Sequence, residues 1–189
     1  MSTPAVILAA GASKRLGRPK QLVEMSGEAL LHRAARIALL ACDPVLVVLG
    51  FEAERMQAVL RDLPVQCLRN LEWEEGMASS LRVAASALPL DARAAVFLVC
   101  DQPALDGELL ARILRLHRDH PGKRIASAYS GARGIPALFP STDFDALLQL
   151  RGDRGARGLL GQGEVLEVPF PGGEQDLDRP EDLLRLQGR

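Results

Sequence analysis

Aromatic residues are scarce in this chain, because tryptophan, tyrosine and phenylalanine together make up 4% of its 189 residues. Proteins that bind single-stranded nucleic acid by base stacking need aromatic platforms, so this scarcity argues against that class. An excess of one charge is also lacking, since 23 basic residues face 24 acidic ones. This balance gives no general attraction to nucleic acid or to a membrane surface, and we expect neither as a partner.

Cysteine and histidine are equally sparse, with three of each. Cys42, Cys67 and Cys100 are far apart and odd in number, so they predict neither a disulfide framework nor a zinc site. Reduced thiols are typical of a cytoplasmic protein, which is the location that we expect. The apolar run at residues 5–10 is too short to span a bilayer and predicts a buried strand.

What the chain does have is an alternation of short apolar runs with amphipathic stretches. Strands are predicted at residues 6–8, 45–49, 65–68 and 96–100, then at 125–127, 135–139 and 165–168. Helices are predicted at residues 29–41, 52–61, 79–87, 107–120 and 144–150, and a last one from Pro180. The alternation predicts an α/β fold with a doubly wound, mostly parallel, Rossmann-like sheet covered by helices on both faces. We expect one domain over residues 1–189.

The segment after the first predicted strand is rich in glycine and in positive charge. Lys14, Arg15, Arg18 and Lys20 fall within seven residues. Ligands of open parallel sheets bind at the carboxyl ends of the strands, where this loop must lie. Glycine backbone and cationic side chains suit a triphosphate, although the spacing is neither that of a P-loop nor that of a dinucleotide-binding turn. The alternative is a solvated basic loop.

Candidate metal ligands come from acids at the same rim. Asp101 ends an apolar strand, and a carboxylate beside a triphosphate is reasonable if Mg²⁺ lies between them. The alternative, a helix cap, is better filled by Asp106. Asp176 and Asp178 lie two residues apart in an extended segment and therefore point the same way, so either could supply a second carboxylate. Asp178 also suits the N-cap of the last helix.

Residues 8–20, which read L-A-A-G-A-S-K-R-L-G-R-P-K, resemble the L-A-[AG]-G-x-S-x-R-[ML]-G-x-x-K signature of the MobA-like nucleotidyltransferases. Residues 101–103 resemble the D-x-P motif of that family, and residues 76–81 resemble its G-M-x-x-S-L string. Residues 176–183 resemble its closing D-[IL]-[DN]-T-P-E-D-L, with Arg179 in place of the usual threonine. Residues 131–136 and 152–157 resemble the G-x-R-G-x-P and G-D-x-G-A-R motifs of the molybdopterin cytidylyltransferase branch.

The resemblance implies roles for individual residues. The implied nucleotide-binding residues are Leu8, Ala9, Ala10, Gly11, Arg15, Lys20, Ser79, Ser80 and Asp101. The implied catalytic residues are Lys20, Arg15 and Asp101, and the implied Mg²⁺ ligands are Asp101 and Asp176. The implied acceptor-binding residues are Arg133, Gly134, Pro136, Asp153 and Arg157. The two serines are equally ordinary helix caps, and the arginine-bearing segments are equally ordinary surface turns.

The reaction implied by the resemblance is transfer of CMP from CTP to the terminal phosphate of molybdopterin, with release of pyrophosphate. Ala10 stands where guanylyltransferases usually have a second glycine, and its methyl group would crowd a purine, so CTP is preferred to GTP. A molybdenum hydroxylase-type acceptor protein or its chaperone is a possible protein partner. The alternatives are a GTP-dependent enzyme, an enzyme for another phosphorylated acceptor, and a non-catalytic molybdenum-cofactor carrier.

Overall fold

The structure, a computed structural model, describes residues 3–153 and 155–184. Arg154, which belongs to the 152–157 motif, lies outside the described residues. The strands are β1 (Ala5–Ala9), β2 (Glu24–Met25), β3 (Glu28–Ala29), β4 (Val45–Leu49), β5 (Gln66–Arg69), β6 (Ala94–Val99), β7 (Arg124–Tyr129), β8 (Ala132–Pro140) and β9 (Val165–Pro169). The α-helices are α1 (Leu30–Leu39), α2 (Ala53–Ala58), α3 (Met77–Ala87), α4 (Gly107–Asp119), α5 (Phe144–Leu148), α6 (Arg157–Leu160) and α7 (Pro180–Leu184).

Seven strands form the main sheet, in the order β5-β4-β1-β6-β8-β7-β9, while β2 and β3 form a small hairpin. Strands β5, β4, β1 and β6 are parallel to one another, and β8 is antiparallel to both of its neighbours, β6 and β7. The predicted mostly parallel sheet is confirmed. Because β1, β4 and β6 run the same way, their carboxyl ends share one rim.

Strand β1 shows why both faces of the sheet are covered. Ala5, Ile7 and Ala9 belong to the hydrophobic cluster that includes buried residues of α1, α2 and α4. The alternate residues, Val6, Leu8 and Ala10, belong to the cluster with α3, α5 and α6. Successive side chains of a strand point to opposite faces, so a continuously apolar strand needs helices on both sides. The predicted doubly wound arrangement is confirmed.

The predicted elements are present, and their ends differ by a few residues. The helix predicted over residues 52–61 ends at Ala58, and the one predicted over 79–87 begins at Met77. The second shift follows from Gly76, whose φ of +119° breaks the preceding turn and lets the helix start directly after it. Arg157, the last residue of a segment for which a surface turn is the alternative interpretation, begins the single turn of α6. Within the described ranges, no helix combines the length and the hydropathy that crossing a bilayer would require.

Candidate active site

The loop that follows β1 closes on itself through Ser13. Ser13 has a left-handed backbone conformation, with φ of +52°, and its carbonyl accepts a hydrogen bond from the Leu16 N–H at 3.0 Å. Its hydroxyl accepts a hydrogen bond from the Lys20 N–H at 3.1 Å. These bonds bring Lys20 back beside the start of the loop, and a 3₁₀ turn over Lys20–Leu22 follows. The cationic loop is therefore held compactly above the carboxyl end of β1.

Lys20 connects this loop with the acids. Its Nζ contacts Asp101 Oδ2 and lies 3.4 Å from Asp178 Oδ1. Arg15 reaches the same acid, with 2.8 Å between its guanidinium and Asp178 Oδ2. Burial alone would lower the pKa of Lys20, but the charge of Asp101 and the hydrogen bond to it outweigh that effect, and the pKa is raised. Lys20 therefore stays a cation, and residues 80 or more positions apart meet at one point of the rim.

Asp176 is the less neutralised of the two acids near the end of the chain. Burial raises its pKa to about 6, and the negative charge of Asp101 acts in the same direction. Lys20 and a hydrogen bond from Gln102 partly oppose this rise. Asp101 and Asp176 are thus close enough for their charges to repel each other. The carboxylate of Asp178 contacts Arg15 and Lys20. The residue before α7 is instead bonded by Asp182, whose carboxylate accepts a hydrogen bond from the Arg179 N–H at 2.9 Å.

A small apolar cluster fixes the position of these acids. Leu177, which lies between Asp176 and Asp178, is 2% exposed and packs with Leu16 and Leu30. Its N–H also donates to the Asp101 carbonyl at 3.2 Å. Leu16 belongs to the cationic loop, so one hydrophobic contact ties that loop to the segment that carries both acids. Burial of a leucine side chain stabilises by roughly 1.5–3 kcal/mol, which is enough to order a short segment.

The donor set at this point suits a divalent cation that is shared with a ligand. Asp101 Oδ1 is buried and has no hydrogen-bond partner among the described groups, although its second oxygen contacts Lys20. A cation beside Asp101 would give that oxygen a partner and would relieve its repulsion with Asp176. Within the described residues there is no cluster of three or more metal-ligating His, Cys, Asp or Glu side chains. Two carboxylates without further side-chain ligands are typical of Mg²⁺ sites, in which substrate phosphates and water complete the coordination.

The nucleotide-binding candidates at the end of β1 and at the start of α3 are both near the rim. Leu8, Ala9 and Ala10 are buried at the end of the strand, and Gly11, the next residue, is exposed. Ser79 and Ser80 are buried in α3, where both hydroxyls accept hydrogen bonds from Asn70 Nδ2, at 2.8 and 3.0 Å. Their contact with a nucleotide stays a prediction.

The acceptor-binding candidates lie at several places in the fold. Arg133 pairs with Glu167 at 2.7 Å, on the β8–β9 side of the sheet. Asp153 packs against Gly76, where an added Cβ would overlap its carboxylate. The Pro136 carbonyl accepts a buried hydrogen bond from Ser127, at 2.7 Å.

Gly134 lies against Tyr129, a residue that the sequence pattern did not single out. The hydroxyl of Tyr129 occupies the space that a Cβ at position 134 would need. Burial raises the pKa of Tyr129, Asp176 raises it further, and Arg157 acts in the opposite direction. Tyr129 therefore touches Gly134 and lies within electrostatic range of Arg157 and Asp176. Its ring packs edge-on against Phe170, with 5.8 Å between the ring centroids.

Two further aromatic residues lie at the rim on the other side of β1. Trp73 covers Gly50, and a Cβ at that glycine would be 2.6 Å from Trp73 Cβ and 2.7 Å from the Ala10 carbonyl oxygen. Phe51 packs edge-on against Trp73, with 5.6 Å between ring centroids, and its N–H donates to the Ala10 carbonyl. Neither residue belongs to a periodic apolar stretch of the sequence, because Phe51 lies in a turn and Trp73 begins a short 3₁₀ helix over Trp73–Glu75.

The fold and this rim, where a cationic loop meets acids that suit a metal, define a nucleotidyltransferase. A family model described as the MobA-like NTP transferase domain matches residues 5–167. The chain belongs to the MobA-like NTP transferase family. The resemblance found in its motifs is thereby confirmed.

Relatives with several different names cover nearly all of the chain. Nicotine blue oxidoreductase of Paenarthrobacter nicotinovorans is 34% identical, over 96% of this chain and 94% of its own. The purine catabolism protein PucB of Bacillus subtilis is 34% identical, over 95% and 94%. The molybdenum cofactor guanylyltransferase of Rhodobacter capsulatus is 31% identical over 100% and 97%, and the molybdenum cofactor cytidylyltransferase of Escherichia coli is 23% identical over 97% and 95%.

Solved structures share the whole fold. Rv0371c from Mycobacterium tuberculosis superposes with a TM-score of 0.86 at 29% identity, covering 100% of this chain and 99% of that one. A structure of Rv0371c in complex with manganese superposes with a TM-score of 0.80 at 28% identity, covering 98% of each chain.

Proposed function

We propose that this chain is a single-domain, Mg²⁺-dependent nucleotidyltransferase that transfers CMP from CTP to the terminal phosphate of molybdopterin and releases pyrophosphate. The observation that carries the proposal is the position of Lys20, whose ammonium group lies between Asp101 and Asp178 while Arg15 contacts Asp178 from the same loop. Cations next to acids, at the carboxyl ends of parallel strands, suit a triphosphate with its metal.

In the proposed reaction the protein positions the two substrates and neutralises the negative charge of their phosphates. The attacking phosphate of the acceptor is already an anion, so no general base is required. Lys20 and Arg15 would bind the β- and γ-phosphates and stabilise the negative charge of the departing pyrophosphate. The exposed Gly11 allows the backbone of the loop to approach the same phosphates closely.

Asp101 and Asp176 would hold the Mg²⁺ ion, which would supply positive charge at the attacked phosphate. The partnerless Oδ1 of Asp101 and its repulsion with Asp176 support this assignment. The solved structure of Rv0371c in complex with manganese is consistent with a divalent cation in this fold. Asp178 is the weaker candidate ligand, since its carboxylate is already paired with Arg15.

The choice of CTP rests on Ala10. This residue is buried at 5% exposure, and its carbonyl is held by Phe51 while Trp73 covers the neighbouring Gly50. The methyl group of Ala10, in the same part of the rim as Phe51 and Trp73, leaves less room for a purine than a glycine at this position would. Cytosine, a pyrimidine, is smaller and fits this constraint better.

Membership of the family constrains the acceptor least, since relatives at 34% sequence identity carry names from nicotine and purine metabolism. Tyr129 and Arg157 support an acceptor that is both aromatic and anionic, because the half-buried ring of Tyr129 lies within electrostatic range of the Arg157 cation. A phosphorylated pterin has both properties.

The test is a pyrophosphate-release assay with each of the four nucleoside triphosphates, with and without molybdopterin, at varied Mg²⁺. We expect release with CTP that depends on both molybdopterin and Mg²⁺. Preference for GTP would overturn the choice of base, and release with another phosphorylated acceptor alone would overturn the choice of acceptor. Binding of the cofactor without any pyrophosphate release would instead support a carrier.

A further inference from the structure

Gln21 is a buried polar residue to which the proposed function gives no role. It directly follows Lys20 and is 1% exposed. Its Nε2 donates two hydrogen bonds, to the Ala9 carbonyl at 2.9 Å and to the Gly11 carbonyl at 2.8 Å. One side-chain amide therefore holds both carbonyls that flank the junction between β1 and the cationic loop.

The Gln21 amide supplies hydrogen bonds to the end of β1 where β6 no longer pairs with it. The pairing between β1 and β6 ends at Leu8 and Val99, while β1 continues one residue further. Carbonyls of alternate residues in an extended chain point to the same side, so those of Ala9 and Gly11 face the gap that β6 leaves. The intervening Ala10 carbonyl faces the other way and accepts from the Phe51 N–H at 3.0 Å. Gln21 thus extends the hydrogen bonding of the sheet edge into the loop.

This arrangement also fixes the direction of a backbone donor. In a planar trans peptide the C=O and the N–H point in opposite directions. The Gly11 carbonyl points to the buried amide of Gln21, so the Ala12 N–H of the same peptide points to the opposite side, where the neighbouring Gly11 is exposed. We infer that Gln21 is a positioning residue that keeps the Ala12 N–H directed at the triphosphate, an inference that rests on the proposed nucleotidyltransferase function.

The orientation of the amide argues that its donors are what matters. Gln21 Oε1 is buried and has no hydrogen-bond partner among the described groups. Rotating the amide by half a turn would place that oxygen against two carbonyl oxygens, so the orientation is fixed by the acceptors. An apolar side chain of the same length would fill this space without an unpaired oxygen. A glutamine is therefore required for its two N–H groups and not for packing.

The test compares Gln21→Met with wild type in binding and in turnover. Methionine has nearly the same length and leaves both carbonyls without the amide. We expect KM for CTP and the dissociation constant of CTP to rise roughly tenfold, the equivalent of one to two ordinary hydrogen bonds, while kcat changes less than threefold. The affinity for cytidine, which has no phosphate, should stay within about twofold of wild type in isothermal titration.

Asp143→Asn provides a matched control for lost stability. Asp143 is also buried and paired, with 2.6 Å between its carboxylate and Arg124. It follows β8, whose last residue, Pro140, pairs with Ala94 at the amino end of β6, whereas the candidate site lies at the carboxyl end of that strand. This variant should lower the melting temperature without changing KM for CTP. Equal weakening of CTP and cytidine binding in Gln21→Met, or unchanged CTP binding, would overturn the inference. A wild-type protein that neither binds CTP nor releases pyrophosphate would instead refute the proposed function.

Discussion

Replacing Asp101 by asparagine separates a role in the reaction from a role in folding. The substitution keeps the size of the side chain and removes one negative charge from the point where Lys20 and Asp176 meet. If Asp101 holds Mg²⁺ against the triphosphate, turnover should fall by about a hundredfold to a thousandfold, as when a principal electrostatic group of an active site is removed. The fold should remain.

The expected loss of stability follows from the contacts of Asp101. Removing one partner of a buried ion pair costs roughly 3–5 kcal/mol when the other charge is left alone. The charge of Lys20 keeps a partner in the variant, because Asp178 lies 3.4 Å away. The Lys20 side chain is also 24% exposed, so water can solvate it. Asparagine can still accept one hydrogen bond from Lys20, and the repulsion with Asp176 disappears. The net loss should be about 1 kcal/mol, or a fall in Tm of about 2–4 °C for a chain of this size.

The measurements are circular dichroism for the fold, calorimetry for Tm, pyrophosphate release for turnover, and an NMR titration of Asp176. The charge of Asp101 contributes to the raised pKa of Asp176, so that pKa should move down from about 6 in the variant. Burial, the larger cause, remains, and the pKa should therefore stay above its ordinary value of 3.8.

Asp106→Ala is the matched control, because Asp106 lies five residues further and caps α4 through the Leu109 N–H at 2.8 Å. Loss of a helix cap costs about 1 kcal/mol, similar to the expected cost at Asp101, and should leave turnover unchanged. The reasoning is refuted if Asp101→Asn unfolds the protein, or if the folded variant turns over at the rate of Asp106→Ala.

Three further outcomes test other parts of the structure. Lys20→Met removes the cation that contacts Asp101, and we expect turnover in the pyrophosphate assay to fall roughly a hundredfold with a higher KM for CTP. Leu177→Ala should lower the free energy of unfolding in urea by about 2–3 kcal/mol, since the residue is 2% exposed in a small cluster; no loss would show that this cluster does not anchor the acids. The hydrogen bond from Arg36 holds the pKa of Glu28 at about 2, below its ordinary 4.5, so this pair stabilises fully above pH 4.5 and its contribution is lost as the pH falls toward 2. Thermal melts between pH 6 and pH 2 should therefore show a shallower decline in Glu28→Gln, and an identical decline would contradict the assignment.

The parts of the site that could be predicted from the sequence are those that depend on strand order. A cationic loop after β1 and an acid after β6 must share a rim once the two strands are parallel neighbours, and Lys20 does contact Asp101. Gln21, Gln102 and Tyr129 could not be found in this way. Each is a single polar residue whose partner is set by the tertiary fold, as in the 2.9 Å bond from Gln102 to the Gly173 carbonyl across 71 positions of sequence.

The tertiary fold also decides between Asp176 and Asp178, which the sequence pattern alone leaves as equal candidates for the second metal ligand. Alternation along an extended segment places Asp176 and Asp178 on one side, and nothing in the pattern orders them along it. The order is set by Leu177, which is buried with Leu16 and so fixes how far the segment advances over the rim. At that position Asp178 meets Arg15, while Asp176 faces Asp101 without an arginine of its own in the contacts of the described residues. One buried leucine therefore gives one acid a cation from the loop and leaves the other with a charge that a metal ion could neutralise.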